Sequence, residues 1–284
     1  MHLSQFFNQA RRTGIVGGFL ALAILILLLT NPACAQSNSP VTLYFPGINK
    51  QNPKLSKQIE EALAKQAVDF LSVKGTEFWH PYQNGIRTGK VGIYFAQPHM
   101  AAWLITRHNF SPIYRLHGNT NYALAVAKAH TSIFELLDLN GKRVCHEPGL
   151  NLGTIWLNQL LGENQIAANT IEVPHIETYM LTQNTKNCDS FIVEATAYNR
   201  VEKETRNKYI RLAQSSIYKH YALLAHPSIA KPNLDKLATA LKKKELQTLL
   251  RPYFSDLSKW DNLIPIDKTD YSPSDIELLA PYWR

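Results

Sequence analysis

Short apolar strands alternate with amphipathic helices along most of this chain, and that alternation limits the possible folds more than any other feature. The runs 41–45 and 91–95 are short and apolar, as buried strands are. Asn52-Pro53 and Pro98 each open a segment whose apolar residues recur at helical spacing. Strands that alternate with helices in this way are typical of a mostly parallel sheet covered on both sides. The sequence therefore predicts an α/β fold.

The same pattern begins again in the middle of the chain. A turn at 138–142 separates a strand at 122–127 from a strand at 143–147. The elements expected after these are a helix at 154–161, strands at 171–173, 190–194 and 221–225, a helical stretch at 233–250 and a short helix at 274–279. The sequence contains no internal repeat and no low-complexity linker, so the restart predicts a second α/β unit.

The first 35 residues have the three parts of a secretory signal. Arg11 and Arg12 supply the positive region, 15–29 is an apolar run, and Ala33-Cys34-Ala35 places small residues before a cleavage point at Gln36. The apolar run is short of the roughly twenty residues that span a bilayer. We therefore expect a cleaved signal peptide at 1–35 and a periplasmic protein. An uncleaved anchor and a lipid attached at Cys34 remain alternatives.

Charge and motifs narrow the functional classes. The formal net charge of +8 falls to +6 without Arg11 and Arg12, and no basic stripe with interleaved aromatic residues is present, so no nucleic-acid partner is expected. The sequence has no Gly-x-Ser-x-Gly elbow, His-Glu-x-x-His motif or phosphate loop, which argues against an enzyme. Its ten histidines form no close pair at helical ligand spacing, so neither a metal nor another cofactor is expected.

The turn Asp138-Leu139-Asn140-Gly141-Lys142-Arg143-Val144 resembles one in the phosphate/phosphite/phosphonate-binding family of periplasmic solute-binding proteins of ABC transporters. There, an aspartate-leucine-x-glycine-lysine turn begins the first strand of the second lobe. The resemblance implies two doubly wound lobes joined by a two-crossover hinge, as in type 2 periplasmic binding proteins. Lobe one would comprise 37–121 plus 219–284, and lobe two 122–218. It also implies a monomer that holds a small-molecule ligand between its lobes for an ABC-type inner-membrane transporter.

Within such a lobe the strands 143–147 and 190–194 would be parallel neighbours, which bears on the two cysteines of the mature chain. A disulfide between Cys145 and Cys188 could add roughly 4 kcal/mol in an oxidising compartment. However, an offset of four residues corresponds to about 13 Å along the strands, whereas a disulfide needs Cα atoms within roughly 7 Å. Two free, buried thiols are therefore the favoured expectation, and a disulfide remains the alternative.

Ligands of open α/β sheets bind beyond the carboxyl ends of the strands. Applied here, this rule and the resemblance select polar and aromatic residues around the expected cleft. The candidate ligand-binding residues are Phe45, Tyr94, Gln97, His99, Asn121, Glu147, Asn151, Thr154, Glu194 and Tyr198.

The segment after the strand at 143–147 departs from the pattern of phosphonate-binding relatives, in which hydroxyl side chains and helix N–H groups cradle the anion. This chain has Leu150 and Leu152 where hydroxyls are expected, and Glu147 and Glu194 lie at strand ends beside the cleft. The specificity is therefore expected to differ from that of phosphonate binders. An amine or cationic solute is one option, and a bulky apolar molecule such as a sterol or lipid is another. A ligand-sensing subunit of a membrane signalling system remains an alternative role.

Overall fold

The computed structural model describes residues 40–46, 54–76, 79–129, 132–173, 176–182, 187–206, 208–250, 263–266, 268–271, 278–279 and 281–283. The predicted signal peptide at 1–35 and most of the predicted helix at 274–279 lie outside these ranges. From Pro40 onward the chain forms one compact unit. None of the helices described is long and apolar enough to cross a membrane.

The described elements alternate as the sequence predicts. The strands are β1 (Val41–Pro46), β2 (Leu71–Thr76), β3 (Ile93–Ala96), β4 (Ser111–Leu116), β5 (Asn119–Thr120), β6 (Tyr122–Ala127), β7 (Arg143–His146), β8 (Asn169–Glu172), β9 (Ser190–Glu194), β10 (Tyr209–Gln214), β11 (Tyr218–Lys219), β12 (Ala222–Ala225) and β13 (Leu263–Pro265). The helices are α1 (Leu55–Ala64), α2 (Trp79–Arg87), α3 (Pro98–His108), α4 (Leu152–Glu163), α5 (Ile176–Leu181), α6 (Ala195–Glu204), α7 (Lys231–Leu241) and α8 (Lys244–Leu250), with 3₁₀ turns at Leu136–Leu139 and Lys268–Asp270.

The strands form two larger sheets and a short ribbon. The first sheet has the order β13-β4-β12-β3-β1-β2, and the second has the order β10-β6-β9-β7-β8. Strand β1 pairs in parallel with β2 and β3, and β7 does so with β8 and β9, whereas β6, β10 and β12 pair antiparallel with their neighbours. Between the sheets, β5 and β11 pair as an antiparallel ribbon. The chain thus crosses from the first sheet to the second at β5 and returns at β11.

Helices cover both faces of each sheet, which explains why the strands are apolar runs rather than alternating patterns. On the first sheet, α1, α7 and α8 pack on one face, and α2 and α3 pack on the other. On the second sheet, α5 and α6 cover one face, and α4 with the 3₁₀ turn Leu136–Leu139 covers the other. The predicted α/β architecture is confirmed.

The prediction of two free thiols is wrong, because Cys145 and Cys188 form a disulfide with Cα atoms 5.6 Å apart. The predicted parallel pairing of β7 with β9 is correct, with Cys145 opposite Phe191. Strand β9 begins at Ser190 and does not extend straight back to Cys188. The chain bends at Asn187 and Asp189, and the Asp189 N–H donates to the Arg143 carbonyl at 2.8 Å. This bend brings Cys188 to Cys145 instead of leaving it beyond the start of β7.

Removal of this disulfide is expected to destabilise the protein substantially. It closes a loop with a sequence separation of 43 residues, for which the loss of unfolded-state entropy corresponds to about 4 kcal/mol. A variant with both Cys145→Ala and Cys188→Ala should therefore unfold at a much lower urea concentration than the wild type. Dithiothreitol should lower the wild-type midpoint and leave the double variant unchanged. An unaltered wild-type midpoint under reducing conditions would contradict this assignment.

Candidate functional site

The carboxyl ends of three strands meet between the two sheets. Gln97 follows β3 of the first sheet, while Glu147 follows β7 and Glu194 ends β9 in the second. Sequence reasoning selected all three residues from the strand-end rule. The structure adds the contacts that join them to the opposite side of the molecule.

Gln97 is a buried residue whose amide links the two sheets and the helices that cover them. Its Nε2 donates to the Tyr221 hydroxyl oxygen at 2.7 Å, and its Oε1 accepts from the Leu152 backbone N–H at 2.9 Å. Tyr221 precedes β12 of the first sheet, and its ring stacks on Phe95 with centroids 5.1 Å apart. Leu152 is the first residue of α4, which packs on the second sheet. A single side chain therefore uses both its donor and its acceptor at this junction.

A second polar contact crosses the junction beside Gln97. His99, which is fully buried near the start of α3, donates from Nε2 to the Leu150 carbonyl at 3.0 Å. Around this contact, Leu150 and Ile155 pack into the apolar cluster that contains Met100 and Ala101 of α3. Burial lowers the pKa of His99 to about 4, because the charged imidazolium would lose its hydration there. The neutral ring is therefore part of a largely dry contact.

The amino-terminal end of α4 is capped by the protein itself. Asn151, the N-cap residue, accepts from the Thr154 backbone N–H at 2.9 Å and donates from Nδ2 to the Glu147 carbonyl at 3.1 Å. Thr154 donates from its hydroxyl to the same carbonyl at 3.0 Å. With Leu152 bound to Gln97, two of the N–H groups that a helix end normally offers to an anion already have partners.

Two carboxylates lie close to this helix end. Glu194 accepts a hydrogen bond from the Thr120 hydroxyl at 2.9 Å. Protein atoms crowd the Glu147 carboxylate, although the residue still contacts solvent. Its partial loss of hydration, followed by the nearby charges of Glu194 and Glu177, raises the pKa of Glu147 to about 7. A pKa of about 7 leaves Glu147 only partly ionised at neutral pH, and a bound anion would disfavour its ionisation further.

The candidate residues divide into two groups. Six of them come together at the junction, namely Gln97, His99, Glu147, Asn151, Thr154 and Glu194. Where the chain crosses between the sheets, the Asn121 carbonyl accepts from the Ala195 N–H at 2.8 Å. Three aromatic candidates lie in hydrophobic cores instead, namely Phe45, Tyr94 and Tyr198. Phe45 lies on β1, Tyr94 on β3 and Tyr198 on α6, and all three are buried where helices pack on the sheets.

Two tyrosines also lie at the junction. Tyr221 holds Gln97, and the ring of Tyr122 packs so closely on Gly153 of α4 that an added Cβ there would lie 2.7 Å from it. Burial raises the pKa of both hydroxyls well above the ordinary tyrosine value. Each tyrosine begins or directly precedes a strand at one of the two crossings, and this position was the available signal in the sequence.

Acid should weaken the folded protein through His99. The pKa of His99 is about 4 when folded, against an ordinary value near 6.5, so its contribution is lost as pH falls from 6.5 towards 4. Between pH 7 and pH 4 the wild type should lose about 3 kcal/mol more unfolding free energy than a His99→Gln variant, which keeps a donor but does not titrate. Urea unfolding across this range measures the difference. His117→Gln, at an exposed site, serves as the control, and equal pH slopes for wild type and His99→Gln would contradict the prediction.

Comparisons with known proteins agree with this architecture. Residues 51–271 match the family model described as ABC transporter, phosphonate, periplasmic substrate-binding protein. A search of curated proteins finds no match.

Among solved structures, PhnD1 from Prochlorococcus marinus in complex with methylphosphonate has a TM-score of 0.63 at 11% identity, with 85% of this chain and 97% of that chain covered. A binding-protein component of an ABC phosphonate transporter from Pseudomonas aeruginosa has a TM-score of 0.61 at 14% identity, with 82% and 83% covered. XAC2383 from Xanthomonas citri bound to chloride has a TM-score of 0.63 at 11% identity, with 82% and 93% covered. At these identities the solved structures establish the fold alone.

The family model covers most of the chain, and the family consists of substrate-binding components of ABC transporters rather than enzymes. Its members are periplasmic and work with the membrane components of the transporter. The two sheets, each with helices on both faces, match the fold of these structural relatives. The chain therefore belongs to the phosphonate-binding family of periplasmic substrate-binding proteins of ABC transporters and has the type 2 periplasmic-binding-protein fold.

Proposed function

We propose that this protein, exported with the signal peptide predicted at 1–35, captures a small solute other than a phosphonate and delivers it to an ABC-type transporter. The observation that carries the proposal is the hydrogen bond from the Leu152 N–H to Gln97 Oε1. It occupies the helix end that, by resemblance, cradles the anion in phosphonate-binding relatives. A phosphonate at this position would have to displace Gln97 and leave a buried amide without its partner, which costs about 1–3 kcal/mol.

The residues around this helix end support the same conclusion. Leu150 packs into an apolar cluster, and Leu152 is fully buried, so neither supplies the hydroxyl donor that an anion would need. Glu194, and Glu147 when it is ionised, place negative charge near the same point. A phosphonate would therefore meet repulsion as well as a loss of hydration that few donors could replace. A solute that carries a positive charge fits these surroundings better.

The proposed lobes are 37–121 plus 219–284 and 122–218. All strands of the first sheet fall in the first set of residues, and all strands of the second sheet fall in the second. The β5–β11 ribbon, which pairs Tyr218 with Thr120, would then mark the hinge. A hinge between two rigid lobes allows closure around a ligand, as in other periplasmic binding proteins. The apolar-ligand and membrane-sensing alternatives gain no support from the residues described.

A thermal-shift screen of the exported protein tests the proposal. The panel contains methylphosphonate, inorganic phosphate, alkylamines and the twenty standard L-amino acids. A solute at a hundred times its dissociation constant adds about 2.7 kcal/mol to the unfolding free energy, which gives a clear rise in Tm. We expect stabilisation by at least one solute with an ammonium group and none by methylphosphonate or phosphate. Stabilisation by methylphosphonate alone would overturn the proposed specificity, and no stabilisation by any solute would count against the receptor role.

A further inference from the structure

Beside the Gln97 junction lies an open groove of about 660 Å³. We name it the α2–α4 groove, because α2 of the first sheet lines one wall and α4 and β8 of the second sheet line the other. Leu150, whose carbonyl accepts from His99, lies at its edge. Thr154 of the filled helix end also lines the groove, but Gln97 and Leu152 are not among its described lining residues, so a solute can occupy the groove without breaking the Gln97 hydrogen bonds.

The wall formed by α2 is a continuous polar stripe. Four polar residues of α2 line the groove, namely His80, Gln83, Asn84 and Arg87. Their spacing of three, one and three residues places them on one face of the helix. The opposite side of α2 carries the buried Tyr82 and Ile86. The helix thus packs its apolar side on the first sheet and presents hydrogen-bond donors to the groove. The Arg87 guanidinium donates from Nη2 to Asn84 Oδ1 at 3.0 Å within this stripe.

The facing wall is polar as well and carries a carboxylate. Thr170 and Glu172 are two residues apart in β8 and so point to the same side of the strand. Glu172 Oε1 accepts from the Gly149 N–H at 3.3 Å. At one end, Asn158 of α4 donates to the Tyr282 hydroxyl oxygen at 3.0 Å. Positive charge on α2 thus faces negative charge on β8 across the groove.

Gln83 provides an independent indication of a ligand. It is only 6% exposed, it lines the groove, and its Nε2 has no hydrogen-bond partner among the described residues. A buried donor without a partner is costly and is uncommon in folded proteins. Nε2 is buried in the ligand-free protein, so the Gln83 amide must rotate towards the groove for an acceptor oxygen of a bound solute to satisfy it. The guanidinium of Arg87, one helical turn further along, would stabilise the negative charge of a carboxylate at the same place.

We infer that the α2–α4 groove binds a small amino-acid-like zwitterion. Its carboxylate is bound by Gln83 Nε2 and Arg87, and its ammonium group faces Glu172. This inference rests on the proposed function in taking the protein as a solute receptor, and it adds the ligand class and the place of binding. A compact zwitterion also explains how a receptor whose phosphonate-binding helix end is occupied can still hold a solute between its two sheets.

Calorimetric titration of the exported protein with the twenty standard L-amino acids tests the inference. For the tightest binder, we also titrate the carboxylic acid that lacks its amino group and the amine that lacks its carboxyl group. Both analogues should bind at least about tenfold more weakly, because each loses one charge-assisted contact. Equal binding of the amino acid and its decarboxylated amine would overturn the assignment of the carboxylate to Gln83 and Arg87.

Variants locate the site. Arg87→Ala and Gln83→Leu should each weaken amino-acid binding at least about tenfold, whereas Lys243→Ala, at an exposed lysine far from the groove in sequence, should not. Gln83→Leu should at the same time keep or raise the Tm of the ligand-free protein, because it removes a buried donor without a partner. A general folding defect would lower that Tm, so the two explanations separate.

The outcomes also separate this inference from the proposed function. If an amino acid binds but only Glu147→Gln and Glu194→Gln weaken it, the groove assignment fails and the receptor role stands. If only a non-phosphonate solute other than an amino acid binds, the ligand class fails and the receptor role again stands. Binding of methylphosphonate alone would defeat both.

Discussion

The hydrogen-bonded amide of Gln97 is the interaction on which the arrangement of this protein most depends. It is buried, it uses its donor for Tyr221 and its acceptor for Leu152, and it joins residues of the first sheet to the first turn of α4. A buried amide with both groups satisfied favours one relative position of its partners, because any other position leaves a polar group without a partner. His99 and the apolar contacts of Leu150 and Ile155 reinforce the same position.

We propose that this arrangement changes what the family fold can bind. A helix end with unbound N–H groups is a general anion site, and its use for phosphonates is the property that the resemblance implies. Here the N–H of Leu152 is bound to Gln97, that of Thr154 is bound to Asn151, and two carboxylates lie nearby. The chain therefore keeps the two-sheet fold of a solute receptor while its phosphonate-binding helix end is filled. The polar groove next to it supplies an alternative place for a solute.

The sequence predicted the fold through features that are local in the chain. Apolar runs located most strands, and the strand-end rule placed Gln97, Glu147 and Glu194 close together. The strand-end rule could not predict that Gln97 pairs with Leu152, because that contact joins residues 55 positions apart through the packing of the two sheets and their helices. The aromatic candidates Phe45, Tyr94 and Tyr198 lie in cores for the same kind of reason, since a local pattern does not show which faces of the strands and helices pack together. The disulfide depended on a bend at 187–189 that no local pattern indicated.

Gln97 and His99 favour the described arrangement of the two sheets over more open arrangements even without a ligand. Spin labels at Lys203→Cys on α6 and Lys236→Cys on α7, both exposed positions, allow the distance between the two units to be measured by pulsed electron resonance. The ligand-free protein should give one narrow distance distribution, and a variant with Gln97→Ala and His99→Ala should give a broader one shifted to longer distances. Identical distributions for the two proteins would contradict the account.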